Sequence, residues 1–329
     1  MTTINDIARL ANVSRSTVSR CLNNNGYVSE EAKERIDKVI KETGYMPSQS
    51  AQTLRTKKSG VVGVILPKIS TETASRVVSG INAVLQNNGF QLLLTDTSLD
   101  PAKEIEFIRL LQAKHVDGII LLATNTEKEL LQAIEASKVP IVALGQEIPN
   151  IASVTYSDYA ATQDMLAYFL EKGHKHIGYI GVYEEDPAVG VIRKQAFMDK
   201  MKQLDLVLKD NWVEQGDFSI ESGYEAMKRM VESDKSNLPT AVFVATDNMA
   251  IGTMQYLKEA SYRIPADIAV GSIGASTLSA FVEPTLTTVD FLNEEAGERV
   301  ATLMLQAFNG KKNTEKLRHS YRLIKRDSV

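Results

Sequence analysis

The chain has 329 residues, a net charge of −4 and 43% apolar residues, values typical of a globular protein with two or three domains. Its one cysteine, Cys21, excludes an intramolecular disulfide and favours a reducing, cytoplasmic setting. No apolar run reaches the roughly 18 residues of a membrane helix, and the N-terminus lacks a basic and apolar leader. The sequence therefore predicts neither a membrane span nor a secretory signal.

Charge is unevenly distributed along the chain. Residues 1–58 carry ten basic and six acidic side chains, whereas the remainder carries 27 basic and 35 acidic side chains. A basic head on an acidic body is expected if only the head contacts phosphate groups. A merely solvated surface can show the same imbalance, so charge alone leaves both interpretations open.

The N-terminal segment predicts two short helices joined by a tight turn. Thr3 and Asp6 form a capping-box pattern at the start of the first helix, and Asn12 is a residue type that tolerates the left-handed turn ending it. Ser14 is a good N-cap for a second helix over residues 15–22. Ala8 is small enough for the close approach that a helix-turn-helix requires.

The outward face of the second helix favours DNA over a plain helical hairpin. Hydroxyl side chains can bond phosphates and arginines can bond guanine edges, and a third helix from Ser29 to residue 43 completes a three-helix unit over residues 1–47. The candidate DNA-binding residues in this unit are Thr3, Ser14, Arg15, Ser16, Thr17, Ser19, Arg20, Asn23 and Ser29.

Residues 48–59 are predicted to be a hinge. The segment is polar, but Ala51 and Leu54 share one helical side and are followed by Arg55 and Lys57. A flexible linker is the simple interpretation. The pattern also suits a short helix that forms on DNA and inserts an apolar side chain into the minor groove, so these four residues complete the DNA-binding set.

From residue 60 onward, apolar runs alternate with amphipathic stretches. This alternation predicts an α/β fold with parallel sheets covered on both faces, in which ligands bind beyond the carboxyl ends of the strands. The predicted strands are 61–66, 91–95, 118–122, 141–144, 177–181, 241–245, 268–273 and a last strand 318–325. The predicted helices are 73–88, 103–114, 127–137, 160–172, 194–204, 221–233 and 247–260.

No catalytic motif occurs in these segments. The chain has no glycine-rich phosphate loop, no nucleophile elbow and no cysteines at metal-binding spacing. His174 and His176 could be a metal pair, but they lead directly into a predicted strand and have no further ligands. The sequence therefore predicts no enzyme activity, no cofactor and no metal.

Several segments are similar to the markers of the lactose/galactose repressor family of bacterial transcription regulators, and the resemblance covers essentially the whole chain. The similar segments in the head and hinge are residues 4–8, 13–20, 44–47 and 51–54; those in the body are 61–67, 116–120, 173–181, 246–252 and 284–289.

The resemblance implies a helix-turn-helix head and a two-lobed, periplasmic-binding-protein-like core with three crossovers. The N-lobe would comprise about residues 60–156 and 291–318, and the C-lobe about residues 157–290 and 319–329. It also implies that Arg15, Ser16 and Arg20 read bases and that Leu54 intercalates at the centre of a palindromic operator. Two heads on a palindrome imply a homodimer, and the chain shows no added heptad helix that would predict a tetramer.

The family's ligand cleft implies a set of effector-binding positions. Arg193 would grip adjacent hydroxyls or a phosphate, and Phe218 would stack on a sugar face or simply pack in the core. Asp247 is interpreted as a helix N-cap rather than a ligand contact. The predicted effector-binding residues are Lys68, Ser70, Thr73, Gln146, Asp186, Arg193, Phe218, Thr246 and Gly274.

Departures from the family pattern bear on the effector. Many relatives carry acidic residues after the strand that begins at residue 268 and at the end of the fourth strand, and this chain lacks both. At position 68, where relatives often have Asp, this chain has Lys68. A more positive pocket favours a sugar phosphate over a free sugar, unless Lys68 is a solvated loop charge. The 145–146 and 186–190 segments look similar to some sucrose-operon repressors of Gram-positive bacteria, which makes sucrose or its phosphate a candidate.

Two alternatives remain at this point. The chain could be a co-repressed or global carbon regulator, because an inducer and a co-repressor would use the same lobes. It could also be a cytoplasmic sugar-binding or sugar-modifying protein with an incidental helical N-terminus.

Overall fold

The computed structural model describes residues 2–22, 26–45, 58–184, 186–310 and 314–329. The chain forms two compact units, Met1–Ser59 and Gly60–Val329, called here the head and the body. The predicted hinge lies largely outside the described residues, so its helix stays a prediction. The same holds for five predicted DNA-binding residues, which are Asn23, Ala51, Leu54, Arg55 and Lys57.

The head contains three helices: α1 (Ile4–Leu10), α2 (Arg15–Leu22) and α3 (Glu30–Thr43). All three begin at the predicted caps, since the side chains of Thr3, Ser14 and Ser29 each accept a hydrogen bond from the backbone N–H three residues on. Asn12 has the positive φ, 53°, that the turn after α1 requires. The helices pack around a small core of Ile7, Ala8, Ala11, Val18, Ile36 and Val39.

The body contains two parallel-dominated sheets, one in each lobe. The N-lobe strands are β1 (Val61–Leu66), β2 (Gln91–Asp96), β3 (Gly118–Leu122), β4 (Ile141–Gly145), β5 (Ser153–Thr155) and β11 (Lys316–Arg318). The C-lobe strands are β6 (Ile177–Val182), β7 (Val213–Gly216), β8 (Ala241–Val244), β9 (Ala269–Ile273), β10 (Thr287–Asp290) and β12 (Arg322–Ile324). The N-lobe sheet has the order β11-β5-β4-β3-β1-β2, and the C-lobe sheet has the order β12-β10-β9-β8-β6-β7.

Helices cover both faces of each sheet, as continuously buried strands require. The N-lobe helices are α4 (Glu72–Asn87), α5 (Pro101–Ala113), α6 (Lys128–Glu135) and α11 (Asn293–Phe308). The C-lobe helices are α7 (Asp158–Glu171), α8 (Arg193–Gln203), α9 (Ile220–Ser233) and α10 (Asp247–Glu259), with a π-helix at Pro187–Ile192 leading into α8. The chain crosses between the sheets three times, after β5, β10 and β11, and this confirms the predicted fold class.

In each lobe, a glycine lets two helices pack closely against each other. A Cβ on Gly80 of α4 would lie 1.9 Å from the carbonyl oxygen of Glu294 in α11, so the helices approach too closely for any larger residue. In the C-lobe a Cβ on Gly252 of α10 would lie 1.8 Å from the carbonyl oxygen of Ile220 in α9. These two glycines therefore allow each pair of helices to pack closely.

Strands β5, β7 and β10 were not predicted, because each has only three or four residues. Two further parts of the sequence interpretation were wrong. Helix α11 was not predicted, because its N-cap position is Leu292, in a left-handed conformation, which offers no capping side chain as a sequence signal. The predicted last strand is instead two short strands in different sheets, β11 and β12. Strand β12 also runs antiparallel to β10, whereas the other strand pairs of the described residues are parallel.

Candidate functional site

Helix α2 exposes the polar residues predicted to meet DNA. Val18 is buried, whereas Arg15, Ser16 and Arg20 are exposed, and Thr17 and Ser19 are half-buried. In the described part of the head, neither Arg15 nor Arg20 takes part in an ion pair. The two guanidinium groups are therefore available for base edges or phosphates.

Three other predicted DNA-binding residues have local roles in the structure. Thr3 exchanges hydrogen bonds with Asp6 in a capping box, Ser29 caps α3, and the Ser14 hydroxyl lies 2.7 Å from Ser16 Oγ and 2.8 Å from Thr17 Oγ1. A capped helix N-terminus still presents other N–H groups to an anion. Their DNA contacts stay predictions.

One head residue was missed by the sequence interpretation. Tyr27 is 88% exposed and follows Gly26, where an added Cβ would lie 3.5 Å from Cδ of Arg20. An aromatic side chain so exposed shortly after α2 is a further candidate contact. It lies outside the helices on which the sequence interpretation concentrated.

In the body, the nine predicted effector residues lie beyond the carboxyl ends of the parallel strands. In the N-lobe, Lys68, Ser70 and Thr73 follow β1 and Gln146 follows β4; in the C-lobe, Asp186, Arg193, Phe218, Thr246 and Gly274 follow β6, β7, β8 or β9. These ends are where ligands bind in folds of this class. We call this region the cleft.

Arg193 is the most strongly bonded of the nine. Its side chain is 8% exposed and forms an ion pair with Asp158, at 2.8 Å from Nε and 2.7 Å from Nη2 to the same carboxylate oxygen. Nη1 also donates to the carbonyl oxygen of Ala245 at 2.5 Å, and the guanidinium lies 5.5 Å from the ring centre of Phe291. Asp158 was not predicted, because it is 35 residues from Arg193 and only the fold brings them together.

Asp247 is not the N-cap that the sequence interpretation made it. It is the first residue of α10, and its buried carboxylate is bonded to β9, β10 and the loop after β9. Oδ1 accepts from the hydroxyls of Ser272 and Thr288, both at 2.6 Å, and Oδ2 accepts from the backbone N–H of Ser276 at 2.6 Å. The space beside this carboxylate is limited, since a Cβ on Gly274 would lie 3.1 Å from its Cγ.

Two hydroxyls beside Asp247 lack partners. Thr246 Oγ1 and Ser276 Oγ are buried and have no hydrogen-bond partner among the described residues. An unsatisfied buried hydroxyl costs free energy that a bound ligand can recover. Thr246 was predicted as an effector contact, and Ser276 was not.

Phe218 belongs to an aromatic pair. Its ring meets Tyr183 edge to face at a centroid distance of 5.4 Å, and its backbone has a positive φ of 72°. The nearby Asp186 accepts a hydrogen bond from Val189 N–H at 2.8 Å and so caps the π-helix. Asp186 therefore orders the segment that leads into Arg193, and Tyr183 joins Phe218 as a candidate stacking surface.

The N-lobe residues of the cleft are more open. Lys68, Ser70 and Thr73 are exposed, and Gln146 is half-buried. No group of three or more metal-binding side chains occurs within residues 2–22, 26–45, 58–184, 186–310 and 314–329. In the same ranges, no helix combines the length and apolar character needed to cross a membrane.

Comparison with known proteins identifies the family of this chain. Residues 3–48 match the model described as bacterial regulatory proteins, lacI family, and residues 166–329 match a periplasmic binding protein-like domain. Catabolite control protein A of Priestia megaterium is 32% identical over 289 residues, which are 87% of this chain and 86% of that protein. The chain belongs to the LacI family.

Further LacI-family members and solved structures are similar over most of the chain. The HTH-type transcriptional regulator TreR of Salmonella typhimurium is 30% identical over 310 residues, 94% of both chains. A structure described as the transcriptional regulator CelR–cellobiose complex covers 100% of both chains at 26% identity and a TM-score of 0.74. The lac repressor dimer bound to operator covers 99% of this chain and 98% of that one at 24% identity and a TM-score of 0.89, which shows the shared fold.

Membership of the LacI family makes this chain a DNA-binding transcription regulator and not an enzyme. In a regulator of this kind, the buried Asp158–Arg193 pair and the Asp247 cluster are candidates for binding or positioning a ligand. No step of bond making or breaking is needed to explain them.

Proposed function

We propose that this LacI-family protein represses a carbohydrate-utilisation operon and leaves a palindromic operator when a sugar effector occupies the cleft. The observation that carries the proposal combines Arg15 and Arg20 on α2, exposed and without an ion pair among the described residues, with a polar cleft whose buried hydroxyls have no partner in the same residues. The operator is part of the bacterial chromosome, so we infer that the protein acts in the cytoplasm as a homodimer with one head on each half-site.

Base reading is assigned to Arg15, Ser16 and Arg20. An arginine can bond guanine O6 and N7 together, and each such pair contributes about 1–3 kcal/mol of discrimination. Thr3, Thr17, Ser19, Ser29 and the N-terminus of α2 at Ser14 are assigned to the phosphate backbone, where hydroxyls and N–H groups fix orientation rather than sequence.

The charges of the cleft favour a neutral sugar over a sugar phosphate. The charge of Arg193 is neutralised by Asp158, and Asp247 adds a buried carboxylate bonded to hydroxyls and an N–H rather than to a cation. Lys68, the basis for expecting an anion, is exposed, so water screens it. A dianionic phosphate would find no uncompensated buried cation among these groups.

Binding roles follow from the same geometry. Three bonds to Asp158 and Ala245 use three of the five N–H groups of Arg193, which leaves two for ligand hydroxyls. Phe218 and Tyr183 offer aromatic surface to a sugar ring. Thr246, Gln146, Ser70 and Thr73 supply hydrogen bonds from both lobes, and Asp186 and Gly274 shape the loops that carry them. Sucrose is the first candidate ligand.

The second candidate function is a global carbon regulator. It is favoured by the 32% identity to catabolite control protein A of Priestia megaterium. In that case cleft occupancy or a protein partner would strengthen operator binding rather than weaken it.

Genome-wide footprinting with and without sucrose, sucrose phosphate and cellobiose separates these candidates. Release from sites beside sugar-transport or sugar-cleavage genes by a neutral sugar supports the proposal. Binding at many unlinked sites, strengthened by a ligand, would favour the global regulator. Binding without sequence preference would contradict both candidate functions.

A further inference from the structure

A set of hydrogen bonds joins the two lobes away from the three crossovers. Glu72 lies in the first turn of α4 in the N-lobe, and Thr277 opens a short 3-10 helix after β9 in the C-lobe. The backbone N–H of Thr277 donates to both carboxylate oxygens of Glu72, at 2.9 and 3.0 Å. Its hydroxyl also donates to Oε1, at 2.7 Å. These bonds span the cleft at its edge.

Glu72 is held in position from its own lobe. Arg76, one helical turn on, donates to the same Oε1 at 2.6 Å. The two side chains are 38% and 30% exposed, so water screens their charges only in part. The carboxylate thus receives donors from both lobes, and its rotamer is restricted before Thr277 approaches.

Thr277 is connected to the floor of the cleft through one peptide unit. The preceding residue, Ser276, donates its backbone N–H to Asp247, and its own hydroxyl is buried without a partner among the described residues. A ligand hydroxyl that bonds to Ser276 or Asp247 would fix the loop of residues 274–277. The same loop carries the N–H that bonds Glu72.

We propose that Glu72 and Thr277 form a latch that stabilises the closed arrangement of the lobes, and that cleft occupancy strengthens it through residues 274–277. Bonds between the lobes form only when the lobes are close, so they favour closure over any more open arrangement. A ligand that orders the loop increases that preference. The coupling to a ligand rests on the proposed function, whereas the latch itself does not.

The latch is tested on the full chain without ligand. Spin labels on Arg109→Cys and Lys202→Cys, near the ends of α5 and α8, report the distance between the lobes once Cys21→Ser removes the native thiol. Glu72→Ala should lower the closed-to-open population ratio about threefold to tenfold, as expected for partly exposed bonds to a charged group. Thr277→Val, which keeps the backbone donor, should give a smaller shift in the same direction.

The control is Glu129→Ala, which removes an exposed glutamate from the first turn of α6 in the same lobe. It should leave the distance distribution unchanged. A Glu72→Ala distribution that coincides with that of the unsubstituted chain would overturn the latch. If Glu72→Ala folds poorly, Glu72→Gln keeps one acceptor and should still shift the distribution.

The coupling is tested by titrating sucrose and sucrose phosphate against the same labels and against operator binding. A sugar that closes the unsubstituted chain should need a severalfold higher concentration in Glu72→Ala. An unchanged half-saturating concentration would overturn the coupling. If no sugar moves either readout, the proposed effector is wrong, while the ligand-free distances still decide the latch.

Discussion

The two sides of the cleft are built differently. On the C-lobe side the charged groups are buried and bonded to one another or to strand ends, as in the Asp158–Arg193 pair and around Asp247. On the N-lobe side Lys68, Ser70 and Thr73 are exposed. A buried and satisfied network holds its donors in place before a ligand arrives, whereas exposed side chains must be ordered on binding.

This difference suggests a division of roles between the lobes. We propose that the C-lobe presents a preorganised surface that fixes the orientation of the sugar, and that the N-lobe closes over it. The Glu72–Thr277 latch fits this division, because its N-lobe partner is an acceptor at a helix end and its C-lobe partner directly follows Ser276, which bonds to Asp247 of the preorganised network. Substitutions on the two sides should therefore differ strongly in their effect on stability.

The largest effect is expected for Asp158→Ala. The change leaves the buried guanidinium of Arg193 without its counter-charge, and removing one partner of a buried ion pair costs about 3–5 kcal/mol. Urea unfolding of the body should show this loss. The matched control is Glu184→Ala, which breaks the exposed pair with Lys194 and should cost less than about 1 kcal/mol. Similar losses for both variants would contradict a preorganised C-lobe side.

This pair also shows where sequence-based prediction ends. The caps at Thr3, Ser14 and Ser29 could be predicted, because a capping side chain and its N–H lie three residues apart. The central parallel strands could be predicted from continuous apolar runs. The Asp158–Arg193 pair and the Glu72–Thr277 contact, 35 and 205 residues apart, depend on topology, and a single sequence gives no measure of such proximity.

Resemblance to the family predicted that Arg193 lies in the cleft, but it did not predict the partners to which Arg193 is bonded. The expectation of a positive pocket followed from counting missing acids at two loops. It failed to include Asp158, because that residue is the first of α7, next to a crossover, and does not lie in a loop already linked to the cleft. The role of Asp247 was missed for a related reason, since its three donors come from β9, β10 and the loop after β9.

Asp247→Asn should produce the second largest effect. The asparagine amide has one acceptor oxygen, whereas the aspartate has two. That oxygen can accept either from the hydroxyls of Ser272 and Thr288 or from the backbone N–H of Ser276. The NH₂ group then faces the donors that the oxygen does not serve. The unsatisfied N–H should cost about 1–3 kcal/mol of unfolding free energy. Asp210→Asn, an exposed C-lobe aspartate, is the control. An unchanged melting temperature for Asp247→Asn would show that the cluster adjusts freely.

A smaller effect is expected from a buried acid in the N-lobe. Glu104 is 1% exposed and accepts hydrogen bonds from Thr124 and Asn125 but forms no ion pair within the described residues. Burial raises its pKa above the ordinary value, and the hydrogen bonds offset this only in part. The folded state therefore binds the proton more tightly than the unfolded chain does.

The pH dependence follows from that sign. The contribution of Glu104 is fully present below the unfolded pKa of about 4.3 and is lost as the pH rises through the raised folded pKa, with a slope of at most about 1.4 kcal/mol per pH unit. Glu104→Gln should remove this decline from the unfolding free energy of the body measured from pH 4 upward. An identical pH profile for Glu104→Gln would assign the decline, if present, to other groups.

The smallest effect is expected for Lys68→Ala, and it tests the open side of the cleft. Because Lys68 is exposed, its removal should change the unfolding free energy of the body by no more than about 0.5 kcal/mol. If the effector is a neutral sugar, its affinity measured by calorimetry should also stay within about twofold, since a screened charge adds little to a hydroxyl ligand. Sucrose and sucrose phosphate titrated in parallel give the contrast. A phosphate that binds more tightly than the free sugar, and loses that advantage in Lys68→Ala, would make the N-lobe side an anion site and reverse the proposed division between the lobes.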